Sequence, residues 1–236
     1  LSAPRLPGSP TGAETVVTLQ MAGFVSADNE GTVTEAQTAP SARWDSVEYR
    51  KDAPFTLSPD PDDGTVYMDE LVHFLTEQYG DASAEDGVRW YSLDNEPALW
   101  ASTHPRIHPE QTGAKEIVNR STELASAVKA VDPESRIVGP VLYGFGAYQN
   151  FGGPSDWSSV SGAHDWFVGY YLEQMNEAEQ AHGTRLLDAL DVHWYPEARG
   201  DNRIVFDDGN TEADIEARLQ APRTLWDSTY TENSWI

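Results

Sequence analysis

Four apolar segments alternate with four segments of helical periodicity, and this order constrains the fold more than any other feature of the sequence. The predicted strands cover residues 15–25, 88–93, 136–143 and 186–196. The helices that follow them are predicted near residues 67–79, 110–131, 165–181 and 211–219. This alternation predicts an α/β fold with a parallel sheet and right-handed crossovers. A doubly wound sheet and a β/α barrel both satisfy it.

The residues that follow the strands favour the barrel. No strand is followed by a glycine-rich phosphate turn, since "LDNEPALW" has no glycine and "GFGAYQNFGG" lacks the GxGxxG register. Polar and aromatic residues are instead concentrated after the second, third and fourth strands. They are Glu96, Trp100, Tyr143, Phe145, His193, Trp194 and Tyr195. In a β/α barrel the active site forms at this rim.

The charge of the chain excludes several classes of partner. Its 39 acidic and 15 basic residues give a formal net charge of -24. Such a surface gains nothing from counterion release, so nucleic acid and anionic membranes are disfavoured, whereas a neutral polymer carries no such penalty. There is no cysteine, and no apolar run approaches the ~20 residues that span a bilayer. Residues 1–14 are rich in proline, glycine and serine and read as a linker or a cut end.

One glutamate, Glu96, stands where the second strand ends, in "YSLDNEPALW". Neighbouring aromatic residues can desolvate its carboxyl group, which would suit it to general acid or base chemistry. Asn95 beside it can donate a hydrogen bond to a sugar hydroxyl, and Pro97 stops the strand. The alternative is a solvated glutamate before an ordinary turn.

Several other residues are candidates for binding a ligand. Exposed aromatic rings stack on flat apolar sugar faces, and the candidate platforms, each weighed against core or loop packing, are Trp100, Tyr143, Trp194 and Trp235. His104 and His108 have a zinc-type helical spacing, but Pro105 and Pro109 argue against a helix there. The acidic run at residues 60–64 fits a calcium loop only loosely. We predict no metal site and no cofactor, and leave a structural calcium ion elsewhere open.

Several long segments together resemble glycoside hydrolase family 44, the endoglucanases and xyloglucanases of clan A. They are "MAGFVSAD", "GVRWYSLDNEPALWASTHPRIHPE", "VDPESRIVGPVLYGFGAY", "LLDALDVHWYPEARG" and "RLQAPRTLWDSTYTENSWI". The resemblance implies a β/α barrel and a retaining mechanism with Glu96 as acid/base and Asn95 on the sugar 2-hydroxyl. His193 and Tyr195 match the clan residues that orient the nucleophile and the sugar. An aromatic residue lies near the position of Trp235 in the family's cleft.

One part of the family pattern has no counterpart in this sequence. The family nucleophile is a glutamate at the end of the seventh strand, and no such segment is found; Glu232 in "TYTENSWI" follows no apolar strand. Residues 15–236 are therefore expected to form the central part of a β/α-barrel catalytic domain. This part would hold strands three to six, without the first and last strands or the accompanying β-sandwich. The remainder of its own barrel is then a candidate partner.

The sequence thus predicts a secreted bacterial enzyme that cleaves β-1,4-glucan such as cellulose, carboxymethylcellulose or xyloglucan. This chain alone is expected to be inactive because it lacks the nucleophile. Two alternatives remain open. One is a non-catalytic module that binds glycans, and the other is a different clan A glycosidase such as a mannanase or xylosidase.

Overall fold

The computed structural model describes residues 12–236, so most of the predicted linker at residues 1–14 lies outside the described residues. The chain divides into two compact units, of which the first ends at His193 and the second is Trp194–Ile236. Among the described residues, no helix is both long and apolar enough to cross a membrane.

Within the described part of the first unit, four strands come first in the chain, and from the fourth strand onward α-helices separate successive strands, as the sequence predicts. Its strands are β1 (Val16–Leu19), β2 (Phe24–Ser26), β3 (Trp44–Glu48), β4 (Thr65–Tyr67), β5 (Trp90–Leu93), β6 (Arg136–Leu142) and β7 (Ala189–Val192). Its helices are α1 (Met68–Tyr79), α2 (Trp100–Thr103), α3 (Ala114–Val131), α4 (Phe145–Asn150), α5 (Trp157–Val160) and α6 (Phe167–His182). The second unit contains α7 (Glu212–Gln220) and a 3₁₀ helix at Ala221–Leu225.

The main sheet has the strand order β1-β5-β6-β7, and every neighbouring pair is parallel. The prediction of an α/β fold with a parallel sheet is therefore confirmed. Since all four strands run the same way, their carboxyl ends lie on one edge of the sheet. The residues after β5, β6 and β7 are brought together at this edge, which we call the C-terminal rim.

The core lies between the main sheet and the long helices α3 and α6. Fully buried side chains from the sheet include Leu19, Tyr91, Leu93, Ile137 and Leu142, and those from the helices include Ile117, Leu124, Phe167 and Tyr171. Helix α3 packs against the central strands β5 and β6. The edge strands β1 and β7 are less covered, and Val16 and Val192 are 57% and 40% exposed.

The predicted first strand, residues 15–25, is wrong as a single element. It divides into β1 and β2, which belong to different sheets, because the chain bends at Gly23 with φ 101°. The Gln20 side chain stabilises the bend by donating to the Phe24 carbonyl at 2.8 Å. The second sheet, which the sequence did not predict, has the order β2-β3-β4 and includes one antiparallel pair, β2 with β3.

The predicted helix at residues 110–131 begins later, at Ala114. Its first turn is fixed by two carboxylates. Glu116 accepts the Gly113 N–H at 3.2 Å, and Asp156 accepts the N–H groups of Ala114 and Lys115 at 2.9 and 3.0 Å. These contacts satisfy the donors that a helix leaves unpaired at its N-terminus.

Candidate active site

The predicted acid/base residue, Glu96, lies at the C-terminal rim in a tight turn after β5. Its backbone is in the left-handed region at φ 45°, and Asp94 two residues earlier has φ 59°. The Glu96 N–H donates to the Val141 carbonyl at 3.0 Å, and Pro97 then begins a 3₁₀ turn. Residues other than glycine are uncommon in this region of backbone conformation and concentrate at functional sites.

Val141 itself is part of this arrangement. It is a buried β-branched residue at φ 56°, and the register between β6 and β7 shifts between Pro140 and Leu142. A β-bulge of this kind frees a backbone group from the strand ladder and re-aims it. The freed Val141 carbonyl accepts the N–H of Glu96, so the bulge on one strand holds the turn that follows its neighbour.

His193 lies at the end of β7, and the structure brings it to Glu96. The His193 Nδ1 atom is 2.6 Å from the Glu96 Oε1 atom, and the two side chains are 35% and 17% exposed. Two backbone contacts position His193. Its N–H donates to the Leu142 carbonyl at 2.8 Å, and the Tyr148 hydroxyl donates to the His193 carbonyl. A carboxylate and an imidazole therefore share a hydrogen bond at the rim, a pairing suited to proton transfer.

Asp94 was not among the predicted site residues, yet its carboxylate organises the turn. It accepts the N–H groups of Met21 and Ala22, the latter at 3.2 Å, and its other oxygen accepts the N–H of Asn95 at 2.7 Å. Burial raises the pKa of Asp94 against the effect of these donors. An aspartate directly before "NEP" was the available sequence signal, because aspartate tolerates the left-handed region better than most residues.

Asn95 and Trp100 occupy different environments. The Asn95 side chain is exposed, whereas Trp100 is 1% exposed and packs in the core. The Trp100 Nε1 atom donates to the Asn95 carbonyl at 3.2 Å, and its ring lies 5.2 Å from the His108 ring. A buried indole offers no free face to a sugar, so this position fits core packing, the alternative interpretation of Trp100, and supports the turn from behind.

The other predicted platforms differ in exposure. Tyr143 is half-buried against the core, and a Cβ atom at Gly146 would come 2.7 Å from its hydroxyl oxygen. Burial raises the pKa of Tyr143. In the second unit Trp194 is 36% exposed, and Tyr195 and Trp235 are each 49% exposed. There the Trp235 Nε1 atom donates to Glu197 at 2.6 Å, and the Arg203 guanidinium lies 5.8 Å from the Trp235 ring centre.

A charged network behind the turn connects α3 with the loop after β1. Arg120 donates to Glu116 at 2.8 Å and to the Met21 carbonyl at 2.7 Å, and Tyr49 also donates to that carbonyl at 3.0 Å. Met21 is thus held at its carbonyl by Arg120 and Tyr49, and at its N–H by Asp94. Burial raises the pKa of Tyr49 to about 12.

The charged network also includes His108, one of the two histidines with zinc-type spacing, through its contact with Glu116. His108 Nε2 bonds Glu116 at 2.9 Å and its Nδ1 bonds the Glu110 carbonyl at 2.8 Å, while His104 bonds Thr103 at 2.8 Å. Burial would raise the pKa of Glu116, but the His108 hydrogen bond and the Arg120 charge outweigh it and lower this pKa to about 2. Within residues 12–236, no group of three acidic or histidine side chains is placed to hold a metal ion.

Comparison with known proteins identifies close relatives. The model of glycoside hydrolase family 44 matches residues 8–198. "Endoglucanase A" of Paenibacillus lautus is 57% identical over 226 residues, which are 95% of this chain and 32% of that protein. The structure of a Paenibacillus polymyxa xyloglucanase of family 44 matches with a TM-score of 0.93 and 56% identity, over 97% of this chain and 45% of that one. A structure of a P. polymyxa xyloglucanase of this family with xyloglucan also matches with a TM-score of 0.93 and 56% identity, over 97% of this chain and 45% of that one.

This chain spans about a third of the endoglucanase, at 32%, and less than half of the xyloglucanase chain, at 45%. The residues that the family model matches, 8–198, include those that form the main sheet and the turn that carries Glu96. Since the family model matches residues 8–198 and these relatives are more than half identical, the chain belongs to glycoside hydrolase family 44.

Proposed function

We propose that the full-length protein is a retaining glycoside hydrolase that cleaves β-1,4-glucan, with Glu96 as its general acid/base. The observation that carries this proposal is the contact of 2.6 Å between the Glu96 carboxylate and His193 Nδ1, at the carboxyl edge of a parallel sheet. Membership of family 44 supplies the reaction class.

Each step of the proposed reaction gives Glu96 a defined task. In the first step the protonated carboxyl group donates its proton to the glycosidic oxygen as the bond to the sugar breaks. In the second step the carboxylate takes a proton from the water that releases the sugar from its covalent intermediate. His193, which shares the hydrogen bond with Glu96, orients the carboxyl group, and the exposed Asn95 amide binds the sugar hydroxyl beside the cleavage point.

Retention also requires a second carboxyl group about 5 Å from the first, to form the covalent intermediate. The sequence has no segment like the family's nucleophile strand, so we assign the nucleophile to a part of the full-length protein outside this sequence. Residues 15–236 then correspond to strands three to six of an eight-stranded β/α barrel, within the catalytic domain. On this basis the 236-residue chain alone hydrolyses glucans only at background rate.

The proposed substrates are cellulose derivatives and xyloglucan. Relatives with 57% and 56% identity carry the names endoglucanase and xyloglucanase, and one structure includes xyloglucan. The net charge of -24 also favours a neutral polymer over an anionic one. Tyr195, Trp194 and Trp235 are proposed to contact the glucan, Tyr143 lines the rim, and the enzyme needs no cofactor. Polysaccharides such as cellulose and xyloglucan are too large to enter a cell, so we propose that the bacterial protein is secreted.

Substitution of Glu96 tests the proposal in the full-length protein. We expect Glu96→Gln to abolish hydrolysis of xyloglucan and carboxymethylcellulose while binding to both persists. Glu96→Ala should still form the covalent intermediate from aryl cellosides with good leaving groups, and added azide should then yield a β-glycosyl azide. Wild-type activity in Glu96→Gln would overturn the assignment.

Two further measurements address the alternatives. A wild-type full-length protein that binds glucan without turnover would be a glycan-binding module. Faster hydrolysis of mannan or xylo-oligosaccharides than of glucans would indicate a different specificity within the clan.

A further inference from the structure

Trp166 is a large aromatic residue that neither the sequence motifs nor the site described above includes. It immediately precedes α6 and has an extended backbone, with φ -130° and ψ 140°. Its side chain is 44% exposed, although the next residue, Phe167, is completely buried. An exposed indole at the start of an otherwise well-packed helix has no evident role in the core.

The position of Trp166 places it at the same rim as Glu96. In a βα unit the helix runs antiparallel to its strand, so the helix begins at the edge where the strands end. Helix α6 follows β6 in the chain and precedes β7, which pairs with β6 in parallel. The first residues of α6 therefore lie at the C-terminal rim.

A series of aromatic contacts connects Trp166 to the Glu96–His193 pair. The rings of Trp166 and Phe145 meet at 90° with centres 5.4 Å apart, and Phe145 meets Tyr148 at 73° with centres 6.4 Å apart. The Tyr148 hydroxyl donates to the carbonyl of His193, whose Nδ1 contacts Glu96. Trp166 thus contacts Phe145, which in turn contacts Tyr148, the residue that bonds the His193 carbonyl.

The contact with Phe145 also orients the indole. An edge-to-face pair fixes the angle between the two rings, and the Trp166 side chain remains 44% exposed beside this contact. A rigid aromatic face loses little conformational entropy when it binds a flat ligand, which is why tryptophan is common in binding surfaces. The apolar face of a pyranose ring has the flatness and the lack of charge that such a surface fits.

From this geometry we infer that Trp166 forms a sugar subsite at the rim, where its ring stacks on a glucosyl unit of a neutral β-glucan chain. The subsite lies further along the glucan chain than the unit at the cleavage point, because the contacts from Trp166 reach His193 only through Phe145 and Tyr148. Trp166 is therefore a binding residue for long substrates. This inference rests on the proposed function for its substrate class, but its binding contribution is measurable without turnover.

The test uses four full-length proteins: wild type, Trp166→Ala, Trp166→Phe and Leu172→Ala. Leu172 is the matched control because it lies on the same helix, α6, and is 41% exposed. KM and kcat are measured on cello-oligosaccharides of increasing length and on a short aryl celloside. We expect Trp166→Ala to raise KM about tenfold on the long substrates only, with kcat unchanged. Trp166→Phe should recover part of the loss, and Leu172→Ala should behave as wild type.

Binding is measured separately, with Glu96→Gln as the background. Electrophoresis through native gels that contain xyloglucan or hydroxyethylcellulose should show retardation of Glu96→Gln, and less retardation of the double variant Glu96→Gln/Trp166→Ala. An equal loss on short and long substrates, or equal retardation of both proteins, would overturn the subsite. If the wild-type protein binds the polysaccharide in these gels but does not hydrolyse it, the proposed function is wrong. The difference in retardation between Glu96→Gln and the double variant still tests the Trp166 subsite.

Discussion

Replacement of Asp94 by asparagine tests whether the turn after β5 positions Glu96 in addition to stabilising the fold. The two roles are measured separately, as kcat and as the free energy of unfolding. The Asp94 carboxylate accepts three backbone N–H groups, from Met21, Ala22 and Asn95. An asparagine has the same shape but only one acceptor oxygen. If that oxygen still accepts the N–H groups of Met21 and Ala22, the amide NH₂ group faces the N–H of Asn95. Asn95, the residue next to Glu96, then loses its hydrogen bond to residue 94.

The expected cost in stability is modest because two effects oppose each other. Loss of one hydrogen bond to a charged group costs about 1.5–3 kcal/mol. Burial, however, raises the pKa of Asp94, which means that the ionised carboxylate is less favourable in the folded protein than in the unfolded chain. Since a neutral amide avoids that disadvantage, we expect Asp94→Asn to lower the free energy of unfolding at pH 7 by about 1–2 kcal/mol.

Asp94→Asn should lower kcat by more than its modest loss of stability would explain. A displacement of about 1 Å in a catalytic group can cost about 100-fold in rate. Release of Asn95 allows a shift of that order at Glu96, so the proposed function predicts that the kcat of the full-length protein on xyloglucan falls by about 10- to 100-fold with little change in KM.

The pH dependence has a defined sign. A folded-state pKa that lies above the unfolded value gives stability that is present below the unfolded pKa and is lost as pH rises through the folded pKa. The stability advantage of wild type over Asp94→Asn should therefore be largest in acid and decrease as pH rises.

The assay uses the full-length protein and compares kcat, KM and urea unfolding for wild type, Asp94→Asn and Asp156→Asn. Asp156 is a suitable control because its carboxylate also accepts two backbone N–H groups, but those belong to the first turn of α3. We expect the control to lose stability and keep its kcat. The reasoning is refuted if Asp94→Asn retains wild-type kcat, or if both variants lose activity only in proportion to stability.

Two other substitutions probe the sheet and the charged network. A Cβ atom at Gly139 would lie 2.9 Å from the Leu93 Cβ atom, so Gly139→Ala should cost about 1–3 kcal/mol in urea unfolding, and an unchanged midpoint would contradict this. Glu116→Gln should cost about 1–2 kcal/mol at pH 7. Because the pKa of Glu116 is lowered to about 2, the advantage of wild type over this variant should vanish as pH falls through that value, and a constant difference between pH 7 and pH 2 would refute it.

The regular part of the fold could be predicted from the sequence because its signals are local. Helix α1 begins at Met68 and ends at Tyr79 within one residue of the prediction, since the apolar positions repeat at helical spacing. The division of residues 15–25 could not be predicted in this way. Both halves are apolar, and whether they form one strand or two depends on β3, a partner about 20 residues further along the chain.

The turn that carries Glu96 shows the same limit at the level of single residues. Asp94 is a usual residue for the left-handed region, but Glu96 and Val141 are not, and each such residue costs about 1–3 kcal/mol unless its surroundings enforce it. Those surroundings are the backbone of Met21 and Ala22 and the bulge of β6, which are distant in sequence and adjacent only in the fold. A motif can therefore identify which glutamate is presented at the rim, whereas the groups that force it into position become visible only when the strands are paired.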